Sequence, residues 1–148
     1  MKPTSVLRLD REAFGATAAC LGWQLGGMLT VIGQTRRNLQ WYAADVHAIG
    51  PWLFRGRSPE PARIGDHETT VRACEGVSQF ASAVFAGVLP ELEAPVFRAG
   101  GLWTEDEEGA DLGDSLVEIR AFDATYWSVE STDLELMRNL ERRYGVGS

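Results

Sequence analysis

The stretch LVEIRAFDATYWSVESTDLELMRNLERRYG, residues 116–145, decides the fold class. In its first half Val117, Ile119 and Ala121 alternate with Glu118 and Arg120, the period of a strand with one apolar face, and Trp127 and Val129 resume that face after a short polar break. The spacing predicts a hairpin of strands over 116–122 and 125–130. In the second half the period becomes helical. Thr132 and Glu135 form a capping box, Leu134, Met137, Leu140 and Tyr144 make an apolar stripe, and Gly145 follows the end. Asp133 and Glu135 stand at the positive end of this helix and Arg142 and Arg143 at the negative end, so side-chain charge and macrodipole agree. A hairpin leading straight into an amphipathic helix implies an α+β protein, a mostly antiparallel sheet packed by about three helices.

Upstream, residues 6–9 fit a short strand, and Asp10 is placed to cap a helix reaching about Leu21, with Phe14, Ala18 and Leu21 inward. The glycines of 22–27 then read as a turn, and residues 28–32 and 39–47 as two strands joined by a polar loop. On the second of these strands Leu39, Trp41, Ala43, Asp45 and His47 share a face. Three prolines and three glycines make 50–66 a surface loop, and Arg55, Arg57 and Arg63 make it basic. Val77, Phe80, Ala81, Val84 and Val88 recur at helical spacing, so a helix is expected over 70–89, stopped by Pro90. A short strand over 96–99 and a loop after Gly100-Gly101 complete the chain.

With 148 residues, 45% of them hydrophobic, one domain spanning 1–148 with a single core is expected. Cys20 and Cys74 lie far apart in apolar surroundings without CxxC spacing, as two buried free thiols in a reducing compartment would. Residues 14–33 carry no charge, but five glycines with Thr17, Gln24 and Thr30 argue against a membrane span, and Asp10 and Glu12 spoil the charged start of a signal peptide. The expectation is a soluble, cytoplasmic protein.

Charge is distributed very unevenly. Residues 91–118 hold nine carboxylates (Glu91, Glu93, Glu105, Asp106, Glu107, Glu108, Asp111, Asp114 and Glu118) against one base, Arg98, a local charge of −8 in a chain whose total is −7. Such a field steers cationic partners and repels nucleic acid and anionic membrane.

Motifs for chemistry fail on inspection. Gly113-Asp114-Ser115-Leu116 spells GDSL and resembles the nucleophile block of GDSL-type lipases and esterases, but it lies late in the chain and no histidine follows His67. It reads as a turn entering a strand. Asp45, His47, His67 and Glu68 supply metal-capable groups, and a small metal-dependent enzyme built on them requires that the four converge. The acidic run starting at Asp106 misses the calcium-loop pattern, with Ala110 and Asp111 where an oxygen donor and a glycine belong. There is no GxGxxG and no Walker loop; Arg36, Arg37, Arg55, Arg57 and Arg63 would bind an anion only if they met in space. No cofactor or metal is assigned. Of the five tryptophans, Trp41 and Trp127 are expected in the core, while Trp52 and Trp103 sit in loop contexts where exposed indoles anchor interfaces.

A compact acidic domain without catalytic motifs is suited to occluding a basic surface, such as the active-site cleft of a nuclease. In size, charge and lack of such motifs the whole chain resembles the small acidic immunity proteins and antitoxins with which bacteria neutralise their own toxins; no residue is carried over from that resemblance. It implies a binding protein rather than an enzyme, with a basic partner. The candidate contact residues are Trp103, Glu105, Asp106, Glu107, Glu108, Asp111 and Asp114. The metal-dependent enzyme above and a structural or regulatory subunit using Trp52 and the arginine loop, as a homodimer in one form, are the alternatives.

Overall fold

The computed structural model describes residues 4–54, 56–109 and 111–145. The chain runs through β1 (Ser5–Asp10), a single 3-10 turn (Arg11–Phe14), α1 (Gly22–Thr35), β2 (Gln40–Ile49), β3 (Ala62–Gly65), α2 (His67–Glu75), β4 (Gln79–Val88), β5 (Ser115–Phe122), β6 (Tyr126–Ser131) and α3 (Leu134–Tyr144). The strands form one sheet in the order β1-β6-β5-β4-β2-β3, antiparallel throughout. The expected α+β class therefore holds. No helix of the described residues is long and apolar enough to cross a membrane.

The expected β5–β6 hairpin is present, with Asp123 and Ala124 turning at positive φ (51° and 54°). The helix after it is also present, one residue out of phase with its cap. Asp133, not Thr132, takes the N-cap: its carboxylate accepts the Leu136 N–H, while the Ser131 hydroxyl accepts its own N–H. The buried stripe accordingly uses Leu136 with Met137, Leu140 and Tyr144, and Leu134 is exposed.

Three expectations upstream give way. The helix over 10–21 shrinks to the 3-10 turn, which Asp10 does cap and which Gly15 ends in the left-handed region at φ 61°. The glycines of 22–27 and the strand over 28–32 are instead the body of α1, whose Leu25, Met28, Leu29 and Ile32 are fully buried at helical spacing. Two of those glycines, Gly22 and Gly27, serve close packing. A Cβ on Gly22 would lie 2.1 Å from the Val77 carbonyl oxygen, and one on Gly27 would lie 2.7 Å from the Tyr144 hydroxyl. Gln24 closes the start of α1 by accepting the Leu21 N–H and the Trp127 indole N–H, and donates to the Ala18 carbonyl.

The helix expected over 70–89 splits into α2 and β4 at Gly76. Strand β4 lies between β2 and β5 and is covered on both faces, so its sequence QFASAVFAGV shows no two-residue alternation to betray it. The expected strand over 96–99 is absent. Residues 89–109 and 111–114 form irregular chain, which closes on itself where Val96 and Asp114 exchange backbone and carboxylate hydrogen bonds.

One face of the sheet packs on the three helices through Trp41, Phe80, Phe85, Ile119, Trp127 and Val129, all fully buried. Each such side chain stabilises the fold by about 1.5–3 kcal/mol. Trp52, half-buried, stacks edge-on against Phe80 and Phe85. Both cysteines are free and buried, and burial pushes each thiol up to about 12.

Candidate functional site

The other face of the sheet is covered by loop. Alternation along β5 and β6 places Glu118, Arg120, Ser128 and Glu130 on this face, and it buries all four instead of presenting them to water. Glu118 and Glu130 lie directly opposite each other, each 1% exposed. Two facing buried carboxylates repel, so each takes an arginine. Arg120 binds Glu130 at 2.7 Å, and Arg98, reaching in from the loop, binds Glu118 at 2.7 Å. Burial still raises the Glu118 carboxyl above the ordinary glutamate range, with Arg98 opposing the rise.

The same arginines fix the acidic loop. Arg98 also binds Asp106 at 2.7 Å, and Arg120 donates to the carbonyls of Thr104 and Asp106. Glu130 accepts the Gly109 N–H. At the sheet edge Glu108 pairs with Arg8 and accepts the Ser128 hydroxyl, and Arg8 holds its carboxyl below the ordinary range. Beneath the loop Leu102 seals a small apolar patch of Ala44, Val84 and Ala86, with Tyr42 and Phe97 at its edge.

The carboxylates that look alike in sequence therefore divide. Asp106 and Glu108 are held by arginines, Asp114 accepts the Val96 N–H, and Asp111 accepts the Gly113 N–H of its own turn. Glu105 and Glu107 point outward without partners among the described residues. Trp103 beside them is 44% exposed, its indole N–H tied to the Gly100 carbonyl.

Asp45, His47, His67 and Glu68 do not converge. A bulge in β2 places two residues, Asp45 and Val46, against one on β4, with Asp45 at φ 49°. It shifts the expected facial pattern: Trp41, Ala43 and Val46 join the helix-side core, while Asp45 and His47 line a cavity on the loop side. His67 and Glu68 line a different cavity, between α1 and α2. Both nitrogens of His67 are committed, Nδ1 accepting from the Trp41 indole (3.1 Å) and Nε2–H donating to the Arg36 carbonyl (2.8 Å). Among the described residues no group of three or more His, Cys, Asp or Glu side chains is placed to hold a metal ion.

The arginines do not form one anion site either. Arg36 pairs with Asp133, the N-cap of α3, at 2.8 Å, Arg63 donates to Gln40, and Arg57 lines the loop-side cavity. Arg55 lies outside the described residues. Ser115 of the GDSL spelling is a buried residue opening β5, as a turn into a strand requires.

Reasoning from sequence alone missed Arg98 and Arg120 as organisers of the loop. The signal was there in the alternation of 116–122, where charged residues on a strand followed a segment rich in opposite charge. No family model matches the chain, and no curated protein or solved structure proves similar to it.

Proposed function

We propose that the chain is an acidic binding protein that occludes the basic surface of a partner, acting in the cytoplasm as bacterial immunity proteins and antitoxins do, and that it works by binding rather than by catalysis. The observation that carries this reading is the division of the acidic loop: six carboxylates, Asp106, Glu108, Asp111, Asp114, Glu118 and Glu130, are spent holding the loop, and Glu105, Glu107 and Trp103 are left outward on it. A loop that only kept the protein dissolved would gain nothing from a fixed tip. A binding loop does gain, because ordering it beforehand removes an entropic cost from association. The uncompensated charge would speed encounter with a basic partner, and the indole would supply apolar contact beside the charges.

The test is affinity capture on the purified chain from lysate of its native host, eluted along a salt gradient, followed by assay of the captured protein. The reading predicts one basic protein, released as salt rises, whose activity is lost when the chain is added back one to one. An empty eluate, or a captured protein whose activity is untouched, would overturn it.

A further inference from the structure

The loop-side cavity encloses about 390 Å³ between the β2 bulge, the turn after β5 and the start of the acidic loop. Three carboxylates face it, Asp45, Glu105 and Asp123, against one cation, Arg57, which is exposed. Asp45 is only 7% exposed, and among the described residues no ion pair compensates it; its Oδ2 accepts the Thr104 N–H at 3.1 Å, while its Oδ1 has no partner there and keeps its access to solvent. Thr104, 4% exposed and also lining the cavity, has a buried hydroxyl with no partner among the described residues. Buried polar atoms are ordinarily paired, so the Thr104 hydroxyl, next to a mostly buried carboxylate with one free oxygen, is a combination that a donor from outside the chain would satisfy. Among the described residues these carboxylates do not form a group of three placed to hold a metal ion. A larger, planar cation with several donors is the better fit.

The protein already binds one such group next door. Phe122 stacks on Tyr126 at 5.3 Å and lines both this cavity and its neighbour. In the neighbour, the guanidinium of Arg8 lies 4.9 Å from the Tyr126 ring centroid and pairs with Glu108. A carboxylate beside an aromatic face is thus filled on one side of the aromatic pair by the chain's own arginine, and the same combination stands open on the other side, where Phe122 is 38% exposed.

We propose that this cavity receives an arginine side chain of the basic partner, its guanidinium bound by Asp45, Glu105 and the Thr104 hydroxyl and laid against Phe122. The proposal rests on the reading of the chain as a binder of a basic surface, and adds the side chain that is recognised. The probe is blocked arginine, N-acetyl-arginine amide, titrated into the full chain with backbone amide shifts as readout. Blocked citrulline, the same shape without charge, and blocked lysine are the controls. Saturable shifts confined to Asp45, Ser82, Thr104, Glu105 and Asp123, several-fold tighter for arginine than for lysine and missing for citrulline, are expected. Asp45→Asn keeps an acceptor for Thr104 and should weaken binding about tenfold or more, the worth of a charge-assisted hydrogen bond. Glu105→Gln, on an exposed residue that the fold does not use, should weaken it about threefold. Absence of saturable shifts, equal response to citrulline, or shifts centred on the groove between α1 and α2 would overturn the proposal. A chain that captures a basic protein but ignores blocked arginine loses the cavity and keeps the interface. One that binds blocked arginine but captures no basic protein keeps the cavity and loses the interface.

Discussion

The two faces of the sheet are covered by opposite means. On one, three helices bury Trp41, Phe80, Trp127 and their neighbours in an apolar core. On the other, irregular chain is held down by arginine–carboxylate pairs over a patch of four buried apolar residues. Apolar packing is non-directional and tolerant, and it fixes where helices lie without specifying a loop. Paired buried charges are costly to assemble and costlier to break, but they fix geometry. The difference teaches that apolar burial positions the helices while paired charges fix the loop, and the proposed recognition surface rests on that fixed loop.

This contrast can be broken at its strongest point. Arg120→Met leaves Glu130 buried and unpaired and should cost about 3–5 kcal/mol in urea unfolding, whereas Arg120→Met with Glu130→Leu should recover most of that loss. On the helix side Leu29→Ala, at a fully buried position, should cost about 2–5 kcal/mol with no single companion change that restores it. If the double variant on the loop side stayed as unstable as Arg120→Met, the loss would lie in the loop carbonyls and the Gly109 N–H that the pair also binds, not in the unpaired charge.

A smaller effect appears in pH dependence, with opposite signs at two glutamates. Glu108 has a lowered carboxyl, so its contribution to stability is present above the ordinary glutamate range and is lost as pH falls through its folded value. Glu108→Gln should therefore flatten the acid side of the stability curve. Glu118 has a raised carboxyl, so its contribution is present below the ordinary range and is lost as pH rises through its folded value. Glu118→Gln should flatten the curve in the other direction, with urea midpoints across the acid range as the readout. Smallest of all, Glu105→Lys with Glu107→Lys should change stability by no more than about 0.5 kcal/mol, since both side chains are exposed and unpaired.

The parts of the fold legible in sequence are those where one surface is buried and the other is not. Helix α3 has that contrast, with Leu136, Met137, Leu140 and Tyr144 buried against an exposed face. Strand β4 lacks it, because both its faces are covered, and its apolar run imitates a helix. Helix α1 hid behind its glycines, which suggest a turn until Val77 and Tyr144 are seen pressing on them. The candidate site was legible as a charge imbalance and no further. That Arg98 and Arg120 would claim Asp106, Glu118 and Glu130 depends on the loop folding back across strands distant in sequence, and that Asp45 would turn to the loop side depends on a bulge no local pattern announces.

The claim that recognition belongs to the loop face is tested most directly by two variants of equal net charge. Glu105→Lys with Glu107→Lys reverses the loop tip, and Glu75→Lys with Glu141→Lys makes the same change at exposed positions on the helix side. Affinity of each for the captured basic protein, at one fixed salt concentration, should fall to background for the first and stay close to the native chain's for the second. Equal weakening of both would mean that net charge alone attracts the partner, and loss confined to the helix-side variant would place the interface on the wrong face.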